Sequence, residues 1–340
     1  MSLFDKPFDR RTMLSGSATV LGAAAASSLP FGNAFAAGFP DGAISVTVPT
    51  RAGGGADRNL RAFTGVWKKY LDATFKPDFK PGASGRVGYE FYMGKKKRDG
   101  HNLLFGNMGP EFLNWIVKMP TFPLEDLTYF ARVDTDPGAI FVRADSPFKT
   151  IDDVVAAGKK RTLNVSTSRL AHPASVGLLA LGEHTGAKFN LIPLSGGKNT
   201  IAGVVTGEMD LGTLTSGSVA AKGKALRTLL VFNDENVAAD RLNNAPTMNQ
   251  HFGTSLPPLL SSRAFAIHTS VIKDHPDRFK ILNDTLKKVF DDPEYKAAVI
   301  KAKGIWEYIN YGDMNDTAKY LKGIKEVGLR FKPLLTGKPS

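Results

Sequence analysis

A strand, a polar or glycine-rich turn and a helix follow one another three times along this sequence. The first repeat runs from an alternating stretch at 44–48, through glycines at 53–55, into a helix-period stripe at 60–71. The second spans 163–181 and the third spans 189–205. This repetition predicts an α/β fold in which helices pack on the faces of mostly parallel sheets.

Two lobes are expected, because 340 residues exceed the length of a typical domain. We assign 37–140 and 262–340 to lobe one and 141–261 to lobe two. The chain then crosses between the lobes twice, near Gly138 and near Ser261. Two crossings favour a hinge, and the prediction from residue order is a two-lobe α/β fold with mixed, mostly parallel sheets flanked by helices.

The first 36 residues have the composition of an export signal. Arg10 and Arg11 precede a weakly apolar, Ala-rich run at 15–26, and small residues end the segment at Ala34 and Ala36. Twin arginines before such a run are typical of a twin-arginine signal, with cleavage expected near Ala36 and a mature chain in the periplasm. A short membrane anchor is the alternative, but the run is too short to span a bilayer.

Composition excludes several classes of site. The chain has no Cys, so disulfides, thiolate metal sites and Cys nucleophiles are excluded. The formal net charge is +12, which favours anionic partners; in an exported protein nucleic acid is not expected. A surface that binds anions only through this excess charge is one of the functions left open.

Two glycine turns are candidate anion sites. Gly53–Gly55 and Ser195–Gly197 each lie between a strand and a helix, where backbone N–H groups and the positive helix end can bind a carboxylate. The alternative is that glycine supplies only the dihedral freedom that a tight turn needs. Nucleotide binding is not indicated, because Gly197-Lys198-Asn199 lacks the Ser or Thr of a phosphate loop.

Polar donors follow the second repeat's strand. Ser166, Ser168 and Arg169 lie where open α/β sheets bind ligands, and Arg51 and Arg169 each offer a planar guanidinium to a carboxylate. His172 is interpreted as a helix cap. An exported enzyme using Asp57 and His172 remains an alternative. The spacing of the histidines does not indicate a metal site, and no cofactor is expected.

Ordered motifs over the whole mature chain resemble one known family, the substrate-binding proteins of tripartite tricarboxylate transporters, also called Bug proteins. The motifs that carry the resemblance are Pro49 through Asp57 with Arg61, Pro81-Gly82-Ala83-Ser84-Gly85 with Asp99-Gly100, Ser146 through Thr150, Pro193 to Gly197, Gly207 to Leu211, Gly223 to Arg227, and Pro246-Thr247.

The resemblance implies a two-lobe periplasmic-binding-protein (Venus-flytrap) fold. Such a non-enzymatic clamshell would hold a small organic carboxylate and deliver it to inner-membrane permease subunits. A monomer is expected, and presentation of the bound solute to a sensor kinase is a further alternative. The expected ligand-binding residues are Thr50, Arg51, Ala52, Gly54, Gly55, Ala56, Asp57, Asn107, Met108, Ser166, Ser168, Arg169, His172, Leu194, Ser195, Gly196, Gly197 and Thr215.

The chain departs from the family in its binding loops. Thr50-Arg51 replaces an aromatic-small pair, Ser168-Arg169 replaces Gly-Ser, and Leu194 replaces a Tyr. Two added guanidiniums predict a second anionic group on the ligand. The hypothesis is therefore a dicarboxylate, with an aromatic one as a variant in which Leu194 or Met108 lies against the ring.

Overall fold

The computed structural model describes residues 38–336. The expected signal segment, 1–36, and its cleavage point lie outside the described residues. The strands of the described chain are β1 (Ile44–Val48), β2 (Phe75–Phe79), β3 (Asn102–Asn107), β4 (Leu127–Asp134), β5 (Gly138–Arg143), β6 (Leu163–Thr167), β7 (Phe189–Pro193), β8 (Leu211–Thr215), β9 (Leu226–Phe232), β10 (Arg263–His268) and β11 (Ile309–Gly312).

Helices connect most of these strands. They are α1 (Gly55–Leu71), α2 (Arg86–Lys95), α3 (Met108–Val117), α4 (Ile151–Lys160), α5 (Pro173–Thr185), α6 (Gly197–Val205), α7 (Ser216–Ala220), α8 (Met248–Phe252), α9 (Thr269–Asp274), α10 (Pro276–Phe290), α11 (Pro293–Lys301), α12 (Met314–Arg330) and α13 (Lys332–Leu335).

Within residues 38–336 the strands form two sheets. The first is six-stranded in the order β11-β4-β10-β3-β1-β2, and the second is five-stranded in the order β7-β6-β8-β5-β9. Strands β1, β2 and β3 are parallel, as are β6, β7 and β8, while β10 and β5 run antiparallel to their neighbours. The predicted α/β class with mixed sheets flanked by helices is confirmed.

The chain changes sheets in two adjacent segments. Strand β4 of the first sheet ends at Asp134 and β5 of the second begins at Gly138, so the boundary expected at residue 140 falls inside a strand. The return segment runs beside this one, since Ser261 N donates to Asp136 O at 2.8 Å and Gly138 N donates to Leu259 O at 2.9 Å. The division into lobes that move about these segments stays a prediction.

Each sheet has its own hydrophobic core. Helix α1 buries the predicted stripe of Leu60, Phe63 and Trp67 against the first sheet, where full burial of one such side chain contributes about 1.5–3 kcal/mol. The last helices contact both cores: Phe331 and Leu335 pack in the second core, whereas α12 packs against β4 of the first sheet and against α3. The assignment of 262–340 to lobe one stays a prediction.

Candidate functional site

A cavity of about 770 Å³ lies where loops from both sheets meet. Its walls are the loops that follow β1, β6 and β7 at the carboxyl ends of parallel strands, together with the segment 81–85 and residues around β8. Open α/β sheets bind ligands at these strand ends. The cavity is the size of an ordinary small-molecule site.

Asp57 stabilises the turn between β1 and α1. Gly53 has φ +74°, which glycine adopts without strain, and its N–H donates to Asp57 Oδ2 at 2.6 Å. Arg61 Nε donates to the other carboxylate oxygen at 2.6 Å. Gly54 precedes the helix and no side chain caps it, so the first N–H groups of α1 stand at the cavity wall.

The turn between β7 and α6 has the same form on the second sheet. Ser195 has φ 52° and Gly196 has φ 106°, and again no side chain caps the helix. Gly196 N donates to Ser168 O at 3.2 Å, so this turn and the loop after β6 hold each other. Lys198 Nζ reaches the other sheet, because it lies 3.0 Å from the position that a Cβ on Gly53 would occupy.

All formal charges that the described residues place on the cavity wall are positive. The lining residues include no Asp or Glu, and both helix starts add positive potential. Together these features favour an anionic ligand. The lining cations are Arg51, Arg58, Arg169, Lys198, Lys222, Arg263 and Lys303.

Arg169 already has partners in this structure. Its Nη1 donates to Ser84 O at 2.5 Å and to Glu111 Oε1 at 3.1 Å. Glu111 is 1% exposed; burial raises its pKa, and Arg169 acts in the opposite direction. Arg169 therefore lines the cavity as a member of an ion pair, not as the free guanidinium that the sequence suggested.

The segment 82–85 that receives Arg169 is strained. Gly82, Ala83, Ser84 and Gly85 all have positive φ, which Ala and Ser adopt only at a cost. Glu111 packs beneath this segment, since its Oε1 lies 2.8 Å from where a Cβ on Gly85 would sit. The Arg169 bond to Ser84 thus fixes a strained wall of the cavity.

Arg263 is a second paired cation in the wall. It is buried and bonds Asp134 and Asp136, with its Nη2 at 3.0 Å from Asp136 Oδ2. Burial alone lowers the pKa of Arg263, but the two carboxylates outweigh it and raise that pKa overall. No local sequence pattern signals this cluster, because its members are 127 and 129 residues apart.

His172 caps helix α5, as the sequence predicted. Its Nδ1 accepts from Ala174 N at 3.1 Å, and burial, with the charges of Arg169 and Arg263, lowers its pKa to about 3. Asp57 is bound by Gly53 and Arg61 and does not line the cavity. Each member of the considered acid–base pair thus has a structural partner of its own.

Most of the predicted ligand-binding residues come together on the cavity wall. The predicted residues that line the cavity are Thr50, Arg51, Ala52, Gly54, Gly55, Ala56, Asn107, Ser168, Arg169, His172, Ser195, Gly196, Gly197 and Thr215.

No described residues form a cluster of three or more potential metal ligands, at the cavity or elsewhere.

Four predicted residues do not line the cavity. Asp57 bonds its own turn, and Ser166 Oγ donates to Thr200 O at 2.9 Å inside the second sheet's packing. Met108 is fully buried in the core that contains Tyr89, and Leu194 packs in the cluster beneath α6. The expected contact of Met108 or Leu194 with a ligand ring therefore has no support in the geometry.

Sequence reasoning missed part of the wall. Arg58 lies one residue after the recognised Asp57 on α1, so its place in the first helical turn was a usable signal. Lys198 directly follows the recognised Gly197 and offered the same kind of signal. Lys303 and Leu335 had no such sequence signal, because only the tertiary fold brings them to the cavity.

A sequence profile described as "Tripartite tricarboxylate transporter family receptor" matches residues 61–326. The chain belongs to this family. It is a solute-binding receptor of the TctC type, and the recognition made from the ordered motifs is confirmed. Within residues 38–336, no helix is long and apolar enough to cross a membrane.

Relatives of this TctC-family receptor have only general descriptions. A UPF0065 protein in the gbd 5′ region of Cupriavidus necator is 25% identical over 269 residues, which is 77% of this chain and 79% of the relative. Another UPF0065 protein, from Agrobacterium vitis, is 25% identical over 215 residues, which is 62% of each chain.

Solved structures share the fold of the receptor. A TctC solute binding protein from Polaromonas is 23% identical with a TM-score of 0.63, and the match covers 88% of this chain and 99% of that one. MatC from Rhodopseudomonas palustris with bound malate is 17% identical with a TM-score of 0.70, over 87% and 100% of the chains. An R. palustris protein with adipate is 16% identical with a TM-score of 0.74, over 88% and 98%.

Proposed function

We propose that this receptor captures a small organic dicarboxylate in the cavity between its two sheets and delivers it to inner-membrane permease subunits from the periplasm. The observation that carries the proposal is the charge of the wall: its formal charges are all positive, and the uncapped starts of α1 and α6 add backbone donors. Carboxylates are among the anions that such N–H groups and guanidiniums bind.

The ligands named for two structures with the same fold agree with this proposal. Malate is bound in MatC and adipate in the other R. palustris protein, and both are dicarboxylates. Val117, Leu170 and Leu335 also line the cavity here, and they suit an apolar spacer between two carboxylates. Met108 and Leu194 do not line the cavity, so the proposal includes no contact of either residue with a ring of the ligand.

Calorimetry on residues 37–340 tests the proposal directly. We expect binding of adipate, malate or a related dicarboxylate, and no binding of adipamide, which has the shape of adipate without its charge. Unchanged ligand recovered after incubation would support binding without turnover, whereas a product would favour the exported-enzyme alternative. Equal binding of adipate and adipamide would contradict an anion site.

A charge-matched pair of variants separates contact from overall potential. Lys198→Gln removes a lining charge, and Lys188→Gln removes an exposed charge that does not line the cavity. We expect Lys198→Gln to bind a dicarboxylate about fivefold more weakly, because a solvated ion pair contributes about 1 kcal/mol, and we expect Lys188→Gln to leave binding unchanged. Equal losses in both variants would instead support a binder that acts through its net charge.

A further inference from the structure

Arg58 differs from every other cation on the cavity wall. Arg51, Lys198, Lys222 and Lys303 are exposed, so water solvates them whether or not a ligand is present. The two remaining arginines of the wall are paired with carboxylates. Arg58 is half-buried, and no ion pair or side-chain hydrogen bond joins it to another described residue.

The carboxylates that act on Arg58 electrostatically, Asp57 and Asp136, are hydrogen-bonded to other groups. Asp57 accepts from the turn and from Arg61. Asp136 accepts from Arg263, from Ser216 Oγ at 3.2 Å and from Gly217 N at 2.9 Å. A planar group with five N–H donors is thus partly withdrawn from water without an acidic partner.

The electrostatics of the position agree with this geometry. Burial lowers the pKa of Arg58 and the charge of Arg263 lowers it further, while Asp136 and Asp57 act in the opposite direction. Arg58 also lines a small adjoining cavity of about 40 Å³, beside Asp136 and Ser218. An anion bound in the large cavity would supply the acidic partner that Arg58 lacks among the described residues.

We propose that Arg58 binds the second carboxylate of the ligand and so determines a preference for dicarboxylates over monocarboxylates. The first carboxylate is then held by the N–H groups of the two glycine turns. The inference rests on the proposed function. It replaces the sequence hypothesis in which Arg51 and Arg169 supply the second anion contact, because Arg51 is exposed and Arg169 is paired with Glu111.

The test compares adipate with hexanoate, which has the same six-carbon chain and one carboxylate. In Arg58→Gln we expect adipate affinity to fall about 10- to 100-fold, as for loss of a charge-assisted hydrogen bond, and hexanoate affinity to change less than about twofold. Arg98→Gln removes an exposed arginine that does not line the cavity; it is the matched control and should change neither affinity by more than about twofold. Arg51→Gln tests the competing sequence hypothesis and should lose less adipate affinity than Arg58→Gln.

Arg58→Lys keeps the charge and carries the test if the Gln variant does not fold. It loses the planar fork, so a smaller loss specific to adipate is expected. Equal weakening of both acids, or a selective loss in Arg51→Gln that matches Arg58→Gln, would overturn the role of Arg58 while leaving the proposed function intact. If the folded wild-type chain bound no carboxylate at all, the proposed function would fail and this inference with it.

Discussion

Arg169 Nη1 lies 3.1 Å from Oε1 of Glu111, a carboxylate that is 1% exposed. Glu111 is on helix α3, which follows a strand of the first sheet, and Arg169 is in the loop after β6 of the second. The ion pair therefore joins the two sheets across the edge of the cavity. Glu111 Oε2 has no hydrogen-bond partner within the described chain, and Arg169 is the ion-pair partner of this carboxylate there.

Removal of Arg169 should destabilise the protein strongly. Arg169→Met leaves Glu111 buried and unpaired, and we expect the free energy of unfolding to fall by about 3–5 kcal/mol in urea denaturation. The double variant Arg169→Met with Glu111→Gln should regain part of that loss, because a neutral amide costs less to bury. A loss below about 1 kcal/mol in the single variant would show that the pair contributes little.

Acidification should destabilise the folded chain through His172. Its pKa is about 3 when folded against 6.5 ordinarily, so between these values the unfolded chain binds a proton that the folded chain does not. Stability should therefore fall as the pH drops below 6.5, by about 1.4 kcal/mol per unit from this residue.

The matched variant for this pH effect is His172→Asn, which keeps an acceptor at the helix cap but does not titrate. Thermal or urea unfolding between pH 7 and 5 should show a shallower dependence in the variant than in the wild type. Some dependence should remain, because burial also lowers the pKa of His268, to about 4. Identical slopes would mean that His172 is not held in its neutral form by the fold.

Two glycines of helix α1 should differ in their response to substitution by alanine. A Cβ on Gly55 would lie 3.1 Å from Arg263 Nη2, at the helix start that faces the cavity, whereas one on Gly65 meets nothing within 4 Å. We expect Gly55→Ala to weaken dicarboxylate binding about tenfold, or about 1.4 kcal/mol, in calorimetry. Gly65→Ala should leave binding unchanged and raise stability by about 0.5–1 kcal/mol; unchanged binding in Gly55→Ala would remove that helix start from the site.

The terminal helix should contribute to stability through Leu335. This side chain is 3% exposed in the second core, while the adjacent Leu334 is 41% exposed. Leu335→Ala should lower the free energy of unfolding by about 2 kcal/mol, the low end for a buried Leu, because a chain end relaxes more easily than a central helix. Leu334→Ala is the control and should change it by less than about 0.5 kcal/mol.

Local patterns in the sequence were sufficient for the fold and for much of the cavity wall. Glycine turns between a strand and a helix have a fixed place in parallel α/β packing, so residue order alone places Gly54 and Gly196 at helix starts. The packing of α13 is different, because Leu335 meets the second core through tertiary contacts that no neighbouring residue signals.

Side-chain partners account for the differences between the predicted and the observed cavity wall. Arg169 looked available because Glu111 is 58 residues away in the sequence, and Asp57 looked like a ligand contact although its partners are only four residues away. Met108 begins α3, yet its side chain enters the core that contains Tyr89. Residue type and loop position located the cavity, but they did not assign each side chain to ligand, core or ion pair.

The order of strands along the chain has a consequence for folding. All strands of the five-stranded sheet lie between Gly138 and Phe232, whereas the six-stranded sheet needs β10 and β11 from beyond residue 262. During synthesis all strands of the second sheet can therefore pair before the central strand β10 and the edge strand β11 of the first sheet have been made. We expect amide protection to appear first in β5 to β9, with Arg263 reaching Asp134 and Asp136 only after β10 has been made.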